Sequence, residues 1–159
     1  AEANLFSQDF EGADAAERTN KNARIESPGH QSKHCATAST KGVYATLFFK
    51  PDTRAKGEMR LAFDYKTKVR AGQANYVGIS TILAGRKKSL FTTVKPSEQW
   101  KHADIKLSAL TRGSVDGEAR NDVTLNKGEK IVEIRIFSRG KDRAADHTLW
   151  VDNVKLYTK

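Results

Sequence analysis

The chain has one cysteine, Cys35, so an internal disulfide is excluded and redox compartment is left unspecified. Its four histidines, at positions 30, 34, 102 and 147, are scattered and show no H-E-x-x-H or comparable metal-ligand spacing. No P-loop or dinucleotide fingerprint occurs, and no RNP, zinc-finger or helix-turn-helix signal is present. No apolar run is long enough to cross a bilayer, and no basic start followed by an apolar stretch marks a signal peptide at Ala1. Heptads, internal repeats and low-complexity tracts are missing as well. These absences argue against metal-, nucleotide- and thiol-dependent catalysis, since the lone cysteine sits in the strand-like run Cys35, Ala36, Thr37, Ala38 with no base nearby. Paired carboxylates for glycoside hydrolysis stay open, because their separation in space decides that chemistry.

What is present is charge of one sign. Of 159 residues, 28 are Lys or Arg and 19 are Asp or Glu, which leaves a net charge of +9. Such a field concentrates polyanions and speaks of partners rather than of fold. Nucleic acid, anionic membrane and acidic polysaccharide all qualify, as does a charge that serves only solubility. The length fits a single domain over residues 1–159, and 38% apolar with 30% charged residues describes a wet-surfaced globular unit.

Residues 42–50, 59–70, 75–83, 89–95, 100–107, 130–139 and 148–157 are short runs rich in Val, Ile, Thr, Phe and Tyr, separated by Gly, Pro, Asn, Asp and Lys. This spacing predicts an all-β protein, a sandwich or barrel. Residues 13–19 form one short helical candidate, and residues 108–129 read as a long connection with an edge strand at Val123–Leu125. Period-2 alternation puts Leu61, Phe63, Tyr65 and Val69 inside and Arg60, Asp64, Lys66 and Lys68 outside. In 130–139 it puts Val132, Ile134 and Ile136 inside and Glu133, Arg135, Phe137 and Arg139 outside, leaving a phenylalanine between two arginines on a solvent face. An exposed ring is either covered by its neighbours or used.

In the last strand, Leu149 to Tyr157, Leu149, Val151, Val154 and Leu156 are apolar, and Asp152 and Asn153 interrupt the run. Asp9 and Glu11, i and i+2 on an extended segment, would point to one side and meet Asp152 if the first and last strands lie together. Clustered carboxylates without cysteine or histidine suit calcium. The plainer alternative has Asp152 accepting hydrogen bonds from turn amides and Glu11 solvated.

The set DFEG at 9–12, G-x-Y-A at 42–45, LAFDYK at 61–66, W-K-x-x-x-I-x-L-S-x-L at 100–110 and LWVDNVKLY at 149–157 resembles the jelly-roll carbohydrate-binding modules that accompany bacterial glycoside hydrolases and polysaccharide lyases. The resemblance implies a two-sheet antiparallel β-sandwich that binds sugar without catalysis. It also implies a monomer joined to a carbohydrate-active catalytic domain and located outside the cell or on its surface. A structural calcium would be held by Asp9, Glu11, a carbonyl near Lys33, and Asp152. No set of tyrosine, histidine and glutamine strands of the β jelly-roll lyases accompanies these motifs.

Sugar rings stack their C–H faces on aromatics, and sulfate or uronate groups are best met by arginine. Arg60, Lys66, Tyr76, Arg135, Phe137 and Arg139 supply that mixture on what the alternation suggests is the outer face of one sheet, and they predict an acidic polysaccharide as ligand. The loop Arg86, Lys87, Lys88 is a competing basic cluster. Trp100 is expected to close one end of the core, and Trp150 to pack under the amino-terminal segment or to act as a stacking platform. A single-stranded nucleic-acid binder would use the same basic and aromatic face, and a structural or adhesion spacer would use none of it.

Overall fold

The structure, a computed structural model, describes residues 3–11, 24–40, 44–69, 76–140 and 147–159. Thirteen strands occur among them, with two short 3-10 turns, Ala84–Arg86 and Leu107–Ala109, and no α-helix. One sheet holds β2 (Arg24–Glu26), β3 (Cys35–Thr40), β13 (His147–Thr158), β6 (Met59–Val69) and β9 (Lys101–Lys106) in that order, with β1 (Ala3–Gln8) on β13. The other runs β11 (Glu118–Arg120), β10 (Gly113–Val115), β8 (Lys88–Val94), β7 (Tyr76–Leu83), β12 (Lys130–Arg139) and β4 (Tyr44–Phe49), with β5 (Thr53–Arg54) on β12. Every strand pair is antiparallel, so the architecture is the two-sheet sandwich expected from the strand spacing.

The alternating residues meet between the sheets. Leu61, Phe63 and Tyr65 of β6 and Leu149, Val151, Val154 and Leu156 of β13 pack against Leu47 and Phe49 of β4, Val77 and Ile79 of β7, and Ile134 and Ile136 of β12. Fully burying a side chain of this size contributes about 1.5–3 kcal/mol.

The first and last strands are neighbours, with Ala3 opposite Thr158 and Gln8 opposite Val154. The polar interruption in β13 is a bulge. Asn153 is left-handed at φ 52°, and the register with β6 shifts between Asp152 and Lys155. Here the strand changes its other neighbour from β3 to β1.

Three local expectations are corrected. Val132 is not a core residue: the register between β12 and β7 shifts between Ile131 and Glu133, so Ile131 takes the buried place and Val132 is half-buried. Val123–Leu125 is not a strand; the connection instead forms the hairpin β10–β11, turning at Asp116 and Gly117 with φ 51° and 82°. Positive φ at both central positions suits an Asp-Gly pair. Cys35 is buried as expected, but it lies outside the main core cluster, with its Sγ 3.7 Å from the Pro28 carbonyl. Burial pushes its thiol up to about 11. The helical candidate at 13–19 lies outside the described residues.

Candidate functional site

The outer face of the second sheet carries a group of rings that alternation alone did not assemble. On β12 the outward positions are Glu133, Arg135, Phe137 and Arg139; the register sets Arg135 beside Ser80 and Phe48, Phe137 beside Gly78 and Thr46, and Arg139 beside Tyr76 and Tyr44. Ser80 in turn faces Phe91 on β8. Phe137 is the hub: its ring centroid lies 5.5 Å from Tyr44, 6.2 Å from Tyr76 and 6.2 Å from Phe91. The first two contacts are edge-on, the geometry that the ring quadrupole favours. Gly78 makes this seat possible, because a Cβ there would clash with the far end of the Phe137 ring. Tyr44, at 52% exposure, is the one large apolar residue freely exposed among the described residues.

Guanidinium groups flank the rings. Arg139 lies 5.9 Å from the Tyr76 centroid and Arg112 4.9 Å from that of Phe91. The Arg139 Nε is buried without a hydrogen-bond partner. Arg135 Nε donates at 2.6 Å to Glu133, whose carboxylate is almost fully buried.

Tyr44, Thr46, Tyr76, Ser80, Phe91, Arg135 and Phe137 line a shallow hollow of about 380 Å³. It continues through a second, of about 280 Å³, lined by Ser80, Ile82, Ser89, Ser114 and Arg135, into a third of about 330 Å³ that reaches Arg112, Arg120 and Asn121. Ser80 lines all three, so they form one trough. From β4 to β11 it crosses five strand spacings, about 24 Å. Such a surface offers flat apolar faces at one end and hydroxyl and guanidinium donors at the other.

Of the six residues grouped from the sequence, Tyr76, Arg135, Phe137 and Arg139 come together here. Arg60 and Lys66 do not: β6 pairs with β13 and β9, which puts both on the first sheet, facing the opposite side of the sandwich. Arg60 Nε donates to Asp104 at 2.9 Å, and the Tyr157 hydroxyl donates to the other Asp104 oxygen at 2.6 Å. The Lys66 ammonium lies between two indoles, 5.2 Å from Trp100 and 4.9 Å from Trp150. Trp100 therefore does not close the core: it is half-buried on this outer face and stacks on His30 at 5.3 Å. Trp150 is half-buried on the same outer face, its Nε1 donating to Glu26 of β2 at 3.1 Å. In the competing basic loop, Lys88 is tied to Glu129 at 2.8 Å. Tyr44, Phe91 and Arg112 were missed. Tyr44 and Phe91 each alternate with core residues, Ala45 and Leu90, and that signal could have found them.

Asp152 and Glu11 both grip the loop before β3. Asp152 is fully buried; its Oδ2 accepts from the His30 amide at 2.9 Å and the Ser32 hydroxyl at 2.5 Å, and its Oδ1 from the Asn153 amide at 2.8 Å. Burial raises its carboxyl above the ordinary range against those hydrogen bonds, and the neighbouring Asp64 adds to the rise. Glu11 accepts from the His34 amide at 2.8 Å and contacts the His34 ring at 2.9 Å, which holds its carboxyl low. Asp9 and Glu11 do not share one side of an extended strand, since Phe10, left-handed at φ 62°, turns its ring into the core and Asp9 Oδ1 caps the Glu11 amide at 3.1 Å.

No group of three or more His, Cys, Asp or Glu side chains that could hold a metal occurs among the described residues. Oxygens of calcium's kind do converge beside Gly29, where a Cβ would run into the Ser32 hydroxyl, the His34 carbonyl and Asp152 Oδ2. The main-chain oxygen among them is the carbonyl of His34, one residue beyond Lys33.

Compared by sequence, the chain matches no family model and no curated protein. Compared by structure, it is similar to the family 11 carbohydrate-binding module from Clostridium thermocellum, solved in complex with a β-1,3-1,4-mixed-linked tetrasaccharide. The identity is 18% and the TM-score 0.61, over 98% of this chain and 94% of that one. It is similar also to the family 30 module of the cellulosomal cellulase Cel9D-Cel44B of the same organism, at 13% identity and TM-score 0.59, over 100% and 98% of the two chains. An exo-β-agarase matches at 15% identity and TM-score 0.65, over 97% of this chain but 25% of the agarase. The chain has the fold of the β-sandwich carbohydrate-binding modules.

Proposed function

We propose that this chain is a non-catalytic module that binds an acidic polysaccharide, sulfated or uronate-bearing, along the trough on its second sheet. The observation that carries the reading is the solvent-facing array of Tyr44, Tyr76, Phe91 and Phe137 with guanidinium groups over two of its rings. Rings take the C–H faces of sugars, while Arg135 and Arg139 meet the anionic substituents. Arg60 and Lys66, on the other sheet, are left out of this contact. The net charge of +9 supports a polyanion, and the bound tetrasaccharide of the family 11 module supports a glycan. The agarase match, over a quarter of that chain, supports a module joined to a carbohydrate-active enzyme that it targets to substrate outside the cell or at its surface. Calcium belongs to the proposal as a structural ion held by Asp152 and the His34 carbonyl, on the strength of the oxygens gathered at Gly29, with Glu11 reaching it from its place on the same loop at His34.

Affinity gels cast with sulfated galactans, alginate, glycosaminoglycans and neutral glucans test the function. Acidic gels retard the wild type, and Tyr44→Ala with Tyr76→Ala abolishes the retardation. Retention by a neutral glucan alone refutes the acidic ligand. Equal retention by DNA and every polyanion tried favours the single-strand binder that shares this chemistry.

A further inference from the structure

We propose that the β8–β10 end of the trough is a dedicated subsite for one sulfate or carboxylate group, with Arg112 as the residue that distinguishes a charged glycan from its neutral parent. The inference rests on the glycan-binding reading above and adds to it a specificity determinant. Four arginines border the trough, and they are not equivalent: Arg120, at the same end as Arg112, is already forked onto Asp122 at 2.7 and 2.8 Å. Arg135 has its Nε on Glu133 at 2.6 Å, so much of its charge is already balanced by a carboxylate with only 4% exposure. Arg139 sits at the aromatic end over Tyr76, with its Nε buried. Arg112 is exposed, and among the described residues it has no carboxylate partner; its guanidinium is instead laid over Phe91 at 4.9 Å. A planar guanidinium held on a ring keeps its N–H fork unpaired yet ordered, so less entropy is lost when an oxyanion arrives.

The backbone beneath Arg112 is well supported. Its carbonyl accepts from the Phe91 amide at 2.8 Å, and at Gly113 the two strands lie so close that a Cβ would run into the Ser89 carbonyl. The hollow beside Arg112 is lined by the hydroxyls of Ser80, Ser89 and Ser114, the last two bonded to each other at 2.8 Å. Serine hydroxyls and a guanidinium fork make a donor-rich surface for an oxyanion. The four rings take the C–H faces of the sugar units, with Arg135 and Arg139 beside them, and the serine-lined end at Arg112 takes one further oxyanion.

The test uses the whole chain and two matched pairs of probes: a sulfated galactan with the same galactan after desulfation, and a polyuronate with its carboxyl-reduced form. Arg112→Gln is expected to lower affinity for the charged member of one pair by about tenfold or more, as loss of a charge-assisted contact does, and to leave its neutral partner unchanged. The pair that responds identifies sulfate or carboxylate as the ligand group. Unchanged binding of the neutral partner also shows that the variant is folded. Equal losses on both members of a pair, or no loss on any probe, overturn the subsite while the function above stands. A wild type that holds none of the four probes refutes the function itself, and the subsite with it.

Discussion

A single methyl group on Gly78 should dismantle the aromatic array without removing any of its rings. Gly78 faces Phe137 across the β7–β12 ladder, and a Cβ there would meet the Cζ and Cε atoms of that ring. Those atoms are at the far end of the side chain, so in Gly78→Ala the ring can swing aside, but only by leaving its contacts with Tyr44, Tyr76 and Phe91. Overpacking of this kind costs about 1–3 kcal/mol. Against that, replacing glycine in extended backbone relieves the unfolded chain of conformational freedom and returns about 0.4–1 kcal/mol. The net is a destabilisation centred on about 1 kcal/mol and reaching about 2.6 kcal/mol, which for a chain of this length lowers Tm by about 2–4 °C per kcal/mol. Glycan affinity should fall with it, since each aromatic pair lost is worth about 0.5–1.5 kcal/mol of organisation. Thermal melts and isothermal titration with the retained polysaccharide measure both effects. An unchanged or raised Tm with full affinity would falsify the view that Gly78 seats Phe137 and that the seated ring organises the site.

Asp104 carries a pH signature: burial would raise its carboxyl, but hydrogen bonds from Tyr157 and Arg60 and the Arg60 charge bring it below the ordinary range. A folded pKa below the unfolded one gives stability that is present above about pH 4 and lost as pH falls through the folded value; urea melts of Asp104→Asn should lack that part of the acid limb. If calcium sits at Glu11 and Asp152, chelation removes about 2.7 kcal/mol for an ion present at 100 times its Kd, and an unchanged melting curve means that the loop is held by hydrogen bonds alone. Cys35, with no exposed surface, should resist a thiol reagent in the native protein and react fully in denaturant; rapid native labelling would contradict its place under the Pro28 carbonyl.

Local chemistry was enough to write much of this protein from its sequence. Period-2 alternation in 59–70 and 130–139 marked inward and outward residues because side chains on a strand must alternate, whatever the strand pairs with. The Asp152–Asn153 interruption marked a place where a buried strand needs polar partners, and the structure puts a bulge there, at Asn153. The Asp116–Gly117 pair was an equally local hairpin signal, obscured by the polar stretch around it. Local rules also misled where a bulge moved the phase, at Val132, and where the left-handed Phe10 turned Asp9 and Glu11 off a common side.

Which sheet a strand joins is set by partners far away in the chain, and no local pattern records it. Alternation could name Arg60, Lys66, Arg135 and Phe137 as outward residues, but only the pairing of β6 with β13 and of β12 with β7 and β4 sent the first two to one side of the sandwich and the last two to the other. The same long-range register brought Tyr44, Tyr76 and Phe91 around Phe137 over the bare backbone of Gly78, and laid Arg112, just before β10, on Phe91. The sequence determined that this chain is a basic β-sandwich with rings and arginines to spare on its surface; tertiary pairing alone decided that those rings share one trough, because closing contacts between distant strands is a property of the whole sheet.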